Sequence, residues 1–384
     1  MKIVVATDSF KGSLSSLQVG QEIKQGIINS APHANVEIVG IADGGEGTVE
    51  VLLHANGGER VNVSVHDPLM NIIEASYAVI SVRGEDCVII ESAQSTGLNL
   101  VPLQSRNPLN TNSFGLGELI KDALAKGYRK FYLTLGGSAT NDAGIGMLQA
   151  LGWKFFDEKG EVIGISRNPL VRVEDFNDSQ VMSELKECTF TVMSDVTNPF
   201  YGEQGAVQIF SRQKGATREQ MILLEAAMFK FAKLIEKKYK RNVQDVKGAG
   251  AAGGLGGALA SMLDANIQSG IDLIINMVGL EGKIKEADLI ITGEGSLDGQ
   301  SVMGKVPVGV AKLAKKHHKV VIGIAGRIDT ELHELNQYLD AVFSIQTECR
   351  NLADAMSQQV TSKQLQITTE QIIRLVQAIS SIRK

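Results

Sequence analysis

The sequence predicts an α/β protein in which one parallel sheet, drawn from both ends of the chain, is interrupted by a second, inserted α/β domain. Three observations lead there: apolar runs alternate with amphipathic stretches at the front, the alternation returns at the back, and the pattern between them changes character. At the front, residues 3–6, 15–29, 36–41 and 46–55 read strand, helix, strand, helix. At the back, residues 287–292, 302–317, 320–325, 330–338, 341–345 and 368–382 read as three strands, each followed by a helix. Either set alone would leave a small sheet poorly covered, so one shared five-stranded parallel sheet is the economical arrangement. The middle shows hairpin-like alternation over 61–82 and 86–90, turning at Arg83, Gly84 and Glu85. It continues with a helix over 115–126, a strand over 130–135, a short helix over 142–151, a strand over 189–193 and a long helix over 218–240. The predicted division is 1–64 with 287–384, against an inserted 65–286.

With 38 Lys and Arg against 43 Asp and Glu, the formal net charge is −5, and 43% of residues are hydrophobic. This is ordinary globular composition, and at about 150 residues per domain the length suits two cores. The mild acidity excludes nucleic acid as the main partner, since phosphate-tracking surfaces need clustered Lys and Arg. No apolar run reaches the ~20 residues of a membrane span, and the N-terminus lacks a secretory core, so the expected location is the cytoplasm, with no membrane partner. Cys87, Cys188 and Cys349 are far apart without paired spacing, which argues against disulfides or zinc and for reduced, mostly buried thiols. His317 and His318 close an Ala/Lys-rich helix, where cations suit the dipole. Oligomeric state is left open.

Glycine is abundant, 40 of 384 residues, and Pro is scarce, at 7. The glycines cluster beside Ser, Thr, Asp, Asn and Glu in DSFKG, ADGGEG, GGSATNDAG, GAGAAGGLGG and TGEGSLDG. Such loops let backbone approach an anionic ligand closely, which points to a phosphate-handling enzyme.

Two nucleotide-like patterns fail on context. Gly248, Gly250 and Gly253 satisfy G-x-G-x-x-G, but the polar NVQDVK precedes them where the dinucleotide fingerprint needs a buried strand. That glycine run either holds an anion at the start of the Ala-rich helix over 255–263 or serves close packing. Gly299, Gly304 and Lys305 match G-x-x-x-x-G-K, yet Val306 replaces the hydroxyl a P-loop needs for magnesium, and Pro307 follows. The segment still joins a strand to a helix, so Glu294, Ser296, Asp298 and Lys305 stand at the carboxyl edge, where open α/β sheets bind ligands. Asp8, Ser9, Lys11 and Gly12 follow the first strand in the same way, and Asp43 and Glu46 the second. Carboxylates paired with lysines suit phosphoryl transfer, which needs Mg2+ ligands and cations around the phosphate. Alternatively, Asp8 or Ser13 caps the first helix, and Glu46 serves a first turn.

In the middle segment, Ser92, Ser95, Thr96 and Gly97 follow a strand, while Asn112, Ser113 and Gly115 open a helix. The loop with Ser138, Thr140, Asn141 and Asp142 also links strand to helix, as an anion cradle or a multi-residue N-cap. Asp195 and Asn198, with Pro199 fixing the turn, could act as base and magnesium ligand by analogy with phosphoryl-transfer sites.

The segments TDSFKGSLSS, ADGGEGT, ESAQSTGL, TNSFGLGELI, LGGSATNDAGIGML, SDVTNPFYGEQGA, GAGAAGGLGG and TGEGSLDGQSVMGKVP resemble the bacterial glycerate kinase family, in order and spacing, over essentially the whole chain. The resemblance implies ATP-dependent phosphorylation of D-glycerate, with 2-phosphoglycerate the expected product and the 3-isomer the alternative. It also implies a flavodoxin-like domain interrupted by a second α/β domain, with the site in a cleft between them. On that reading Asp195 is the base and Asp8 its competitor. Asp43, Glu46, Glu294, Asp298 and Asn198 surround Mg2+ and substrate, and Lys11 and Lys305 neutralise phosphate. Ser138, Thr140, Asn141, Asp142 and Ser296 hold ATP. A NAD-dependent hydroxy-acid oxidoreductase would need the missing strand-initiated fingerprint, and a noncatalytic metabolite-binding protein would not need so many loop acids.

Overall fold

The structure, a computed structural model, describes residues 1–298, 305–329, 332 and 334–382. The chain forms two compact units: Met1–Asp43, Glu50–Asn56 and Ile271–Lys384 make the first, and Gly44–Val49 with Gly57–Gly270 the second. These limits differ from 1–64 and 65–286. The strand Glu59–His66 pairs antiparallel with Ile72–Val82 and so belongs to the second unit's sheet. Alternation identified it as a strand but could not name its partner.

In the first unit the strands Asn35–Gly40, Lys2–Thr7, Leu289–Leu297, Val320–Ile328 and Ala341–Ser344 lie side by side in that order, all parallel. This is the expected shared sheet. Ile3 to Ala6 are fully buried, which is why the strand reads as an unbroken apolar run: helices cover both faces of a parallel sheet. Counted within this unit the order is 2-1-3-4-5, the flavodoxin-like order, and its switch point falls between Lys2–Thr7 and Leu289–Leu297.

The helix Ser16–Ser30 starts with a capping box, Ser15 N–H donating to Gln18 Oε1 at 2.9 Å. Ser15, rather than Asp8 or Ser13, is therefore the cap. The helix buries Val19, Ile23 and Ile27 with Leu365, Ile372 and Ile373 of Gln358–Ile382, a helix that begins ten residues earlier than expected. Over 302–317 the helix is Val306–Lys316, and 302–304 lie outside the described residues. Over 330–338 a single tight turn, Leu335–Gln337, is described, while 330, 331 and 333 lie outside the described residues. His317 Nε2 lies 2.8 Å from Glu281 Oε1, beyond the last helical turn.

The second unit holds a six-stranded sheet in the order Asn266–Gln268, Thr189–Met193, Lys130–Thr134, Glu85–Glu91, Ile72–Val82, Glu59–His66. The first four are parallel, and Ile72–Val82 runs antiparallel to both of its neighbours. The loops after Glu91, Thr134 and Met193 therefore leave the sheet at one edge. Phe131 stacks on Phe190 at 5.0 Å between ring centres, and Phe155, Phe176 and Phe231 form a second aromatic cluster around the Arg218–Tyr239 helix.

Candidate active site

At the switch point of the first unit three loops meet. Asp8 follows Thr7, which is in register with Gly293 on one side and Gly40 on the other. That register puts Asp8 beside Glu294 and near Asp43, and the cavity they share, about 790 Å³, is also lined by Lys11, Ser296 and Lys305. Ser16 Oγ ties the strand ends together, donating to the Thr7 carbonyl at 2.7 Å and accepting from Ile41 N–H at 3.0 Å.

Asp8 is 4% exposed. Burial pushes its carboxyl up to about 7, and the negative charges of Asp43 and Glu294 add to this, against Ser9 N–H at 2.6 Å and the Lys11 ammonium. Lys11 lies 3.6 Å from Asp43, whose charge raises the lysine above its ordinary value. Lys305 sits between Glu294, at 3.9 Å, and Asp298, at 3.7 Å. The arrangement offers a proton acceptor poised near neutrality between two cations that could face phosphate. Gly299 and Gly304 of the P-loop-like pattern lie outside the described residues.

In the second unit the loop after Lys130–Thr134 is open at Gly137, which is exposed with φ +62°, and buried from Ser138 to Asp142. The sequence reading missed Lys214, a buried lysine whose ammonium donates to Ser138 Oγ at 3.0 Å and to the Thr140 carbonyl at 2.6 Å. Its segment, SRQKGATREQ, is polar and resembles a solvated turn, so no local signal marked it. Asp142, expected to contact ATP, has a structural part. Its buried carboxylate accepts from Ser113 N–H and Oγ, both at 2.8 Å, from Gly144 N–H at 3.1 Å and from Gly146 N–H at 3.2 Å. It thereby takes up N–H groups at the start of the short helix Ile145–Ala150 and fastens it to the start of the preceding helix, Phe114–Ala125. Asn141 points its amide at Ser211 Oγ. Asn112 is likewise internal, donating to the Arg167 carbonyl at 2.9 Å.

Several other expected residues belong to the second unit. Glu46 is exposed and precedes the helix Thr48–Asn56, so it serves no first turn, and it falls in the second unit, unlike Asp8 and Asp43. Asp195 accepts from Gly270 N–H at 3.3 Å, and Asn198 Nδ2 donates to the Gln204 carbonyl at 2.8 Å. Asp298 and Asn198 belong to different units, so neither unit alone makes them a metal pair. Among the described residues no group of three His, Cys, Asp or Glu is placed to hold a metal ion. Mg2+, though, commonly takes one or two carboxylates and completes its shell with water and substrate phosphates, a demand the acids around Asp8 fit. Of the cysteines, Cys87 is buried, Cys188 half-buried and Cys349 exposed at the first unit's cavity, so the thiols are not mostly buried.

The glycine run at 248–257 is a packing device. A Cβ on Gly253 would lie 2.2 Å from the Thr140 carbonyl, one on Gly256 2.4 Å from the Gly248 carbonyl, and one on Gly257 2.4 Å from the Phe200 ring. Gly253 also holds φ +71°. Gly253→Ala should therefore combine backbone strain of about 1–2 kcal/mol with displacement of the 138–142 loop, lowering the melting temperature by several degrees. A melting curve unchanged within error would contradict this packing role.

The model of the Glycerate kinase family matches residues 3–377. Glycerate 2-kinase of Escherichia coli K12 is 45% identical over 356 residues, covering 92% of this chain and 93% of that protein. Glycerate kinase of Bacillus subtilis 168 is 42% identical over 356 residues, with the same coverage of 92% and 93%. A crystal structure described as a glycerate kinase 2 from Salmonella typhimurium LT2 superposes with a TM-score of 0.86 at 40% identity, covering 99% of both chains. Together with the parallel sheet and the acid-and-lysine loops at its switch point, these likenesses identify the chain as an enzyme, a kinase, belonging to the glycerate kinase family.

Proposed function

We propose that the protein transfers the γ-phosphoryl group of Mg-ATP to D-glycerate, giving 2-phosphoglycerate and ADP, in the cytoplasm. The observation that carries this reading is Asp8, a buried carboxyl pushed up to about 7 between two lysine–carboxylate pairs. A general base works best with a pKa near the operating pH, and a hydroxyl nucleophile needs one. Asp8 is thus the acceptor for the glycerate hydroxyl proton in preference to Asp195, which is half-buried and accepts a backbone N–H. Lys11 and Lys305 offset charge on the transferring group and on the substrate carboxylate. Asp43 and Glu294, with Asp298 near by, are the acids that would hold Mg2+, whose chemistry there is to neutralise phosphate charge and orient the γ-phosphoryl group. Ser296 and the loop carrying Ser138, Thr140 and Asn141 supply hydrogen bonds to the nucleotide. The reaction thereby draws on residues of both units. The name of the Escherichia coli relative supports the 2-position. The test is ADP release from glycerate and Mg-ATP above a glycerate-free blank, and no excess over the blank would remove the proposal.

A further inference from the structure

Lys214 closes the short turn Arg212–Lys214 and is 2% exposed. The hydrogen bonds of its ammonium among the described residues go to Ser138 Oγ and the Thr140 carbonyl. A buried ammonium is costly unless partners compensate it. Burial pulls this one down to about 7, and Asp142 is the neighbouring charge that favours its protonated form.

The chemistry of donors and acceptors then fixes the loop. An ammonium can only donate, so Ser138 Oγ accepts from it, and the serine's own proton is left to be donated elsewhere. The Thr140 carbonyl, an acceptor that would repel an anion, is held by the same cation. Among the described residues the N–H groups of Gly137, Ser138, Thr140 and Asn141 donate to no protein group, and the buried Thr140 Oγ1 has no hydrogen-bond partner. Successive undirected N–H groups around a left-handed residue such as Gly137 form an anion-receiving concavity.

We propose that Lys214 is a positioning residue for this loop: it orients Ser138 and Thr140 so that the loop presents donors, and a nucleotide phosphate oxygen is what they receive. The inference rests on the assignment of this loop to ATP made above, and it adds the residue that makes the loop a donor surface.

The test combines steady-state kinetics with calorimetric titration of the enzyme with ADP in the absence of glycerate. Lys214→Met should weaken ADP binding and raise KM for ATP about tenfold or more, leaving KM for glycerate within about twofold. Ser138→Ala should give a smaller loss of the same kind, about threefold. Because the lysine acts through the serine, the double variant should be no worse than Lys214→Met by more than about twofold. Should Lys214→Met fail to fold, Ser138→Ala decides by the same ADP titration. ADP affinity unchanged in a folded variant, or a loss confined to glycerate, would overturn the proposal. Wild-type enzyme that binds ADP in this Lys214-dependent way yet leaves glycerate unphosphorylated would remove the proposed reaction and keep this inference.

Discussion

Asp8→Asn should lower kcat by about 10²–10⁴-fold, the usual contribution of a positioned general base, while making the protein more stable above pH 7. The stability sign follows from the direction of the shift. Burial raises the Asp8 carboxyl to about 7 in the folded chain, above its ordinary 3.8. Below the unfolded value the group is neutral in both states and costs nothing. As pH climbs through the interval up to about 7, the folded state holds a proton the unfolded state has released, and stability falls. An asparagine cannot ionise, so the variant should gain most at pH 8 and nothing near pH 3.5. The bound set by the whole shift is about 4 kcal/mol. Wild-type kcat/KM should rise through pH 7 as Asp8 loses its proton, and Asp195→Asn should cost less turnover than Asp8→Asn. An Asp8→Asn enzyme within about threefold of normal kcat would move the base elsewhere.

Lys305→Ala should reduce kcat/KM for ATP by about 10²-fold, or about 2.7 kcal/mol, because it removes a cation set between Glu294 and Asp298 and available to phosphate charge. Val306→Thr separates this role from that of a P-loop. Val306 is fully buried in the first turn of its helix, so a hydroxyl there meets packed core rather than a metal. The expected result is a modest loss of stability, about 1–2 kcal/mol, with KM for ATP unchanged. A gain in ATP affinity in Val306→Thr would restore the P-loop reading.

The legible part of the fold is the part written in buried periodicity. The strands Lys2–Thr7 and Leu289–Leu297 are covered on both faces, so Ile3 to Ala6 and Leu289 to Thr292 announce themselves as apolar runs. Asp8, Lys11, Asp43 and Lys305 were legible for a related reason, since each follows a strand end or opens a helix at the ligand-binding edge, while Glu294 lies within Leu289–Leu297, a strand that runs on past the expected end at 292. Pairing partners were not: Glu59–His66 alternates as any half-covered strand does, and which sheet it joins depends on Ile72–Val82. Nor was the use of a polar residue legible. Asp142 and Ser138 are five residues and one residue past a glycine pair, yet one is taken up by internal N–H and O–H donors and the other is turned by a lysine 76 residues away. Glycine runs are ambiguous in the same way, because Gly253 satisfies a nucleotide pattern and in the fold makes room for the Thr140 carbonyl.

Phosphorus NMR of the product tests the central claim most directly. With D-glycerate and Mg-ATP in excess, the account predicts stoichiometric ADP and a single new phosphomonoester resonance, coupled to the C2 proton, at a rate that falls by at least about 10²-fold in Asp8→Asn. A resonance coupled to the C3 protons would contradict the 2-position. ADP formation no greater than in the glycerate-free blank, with no phosphoglycerate signal, would contradict the proposed reaction itself.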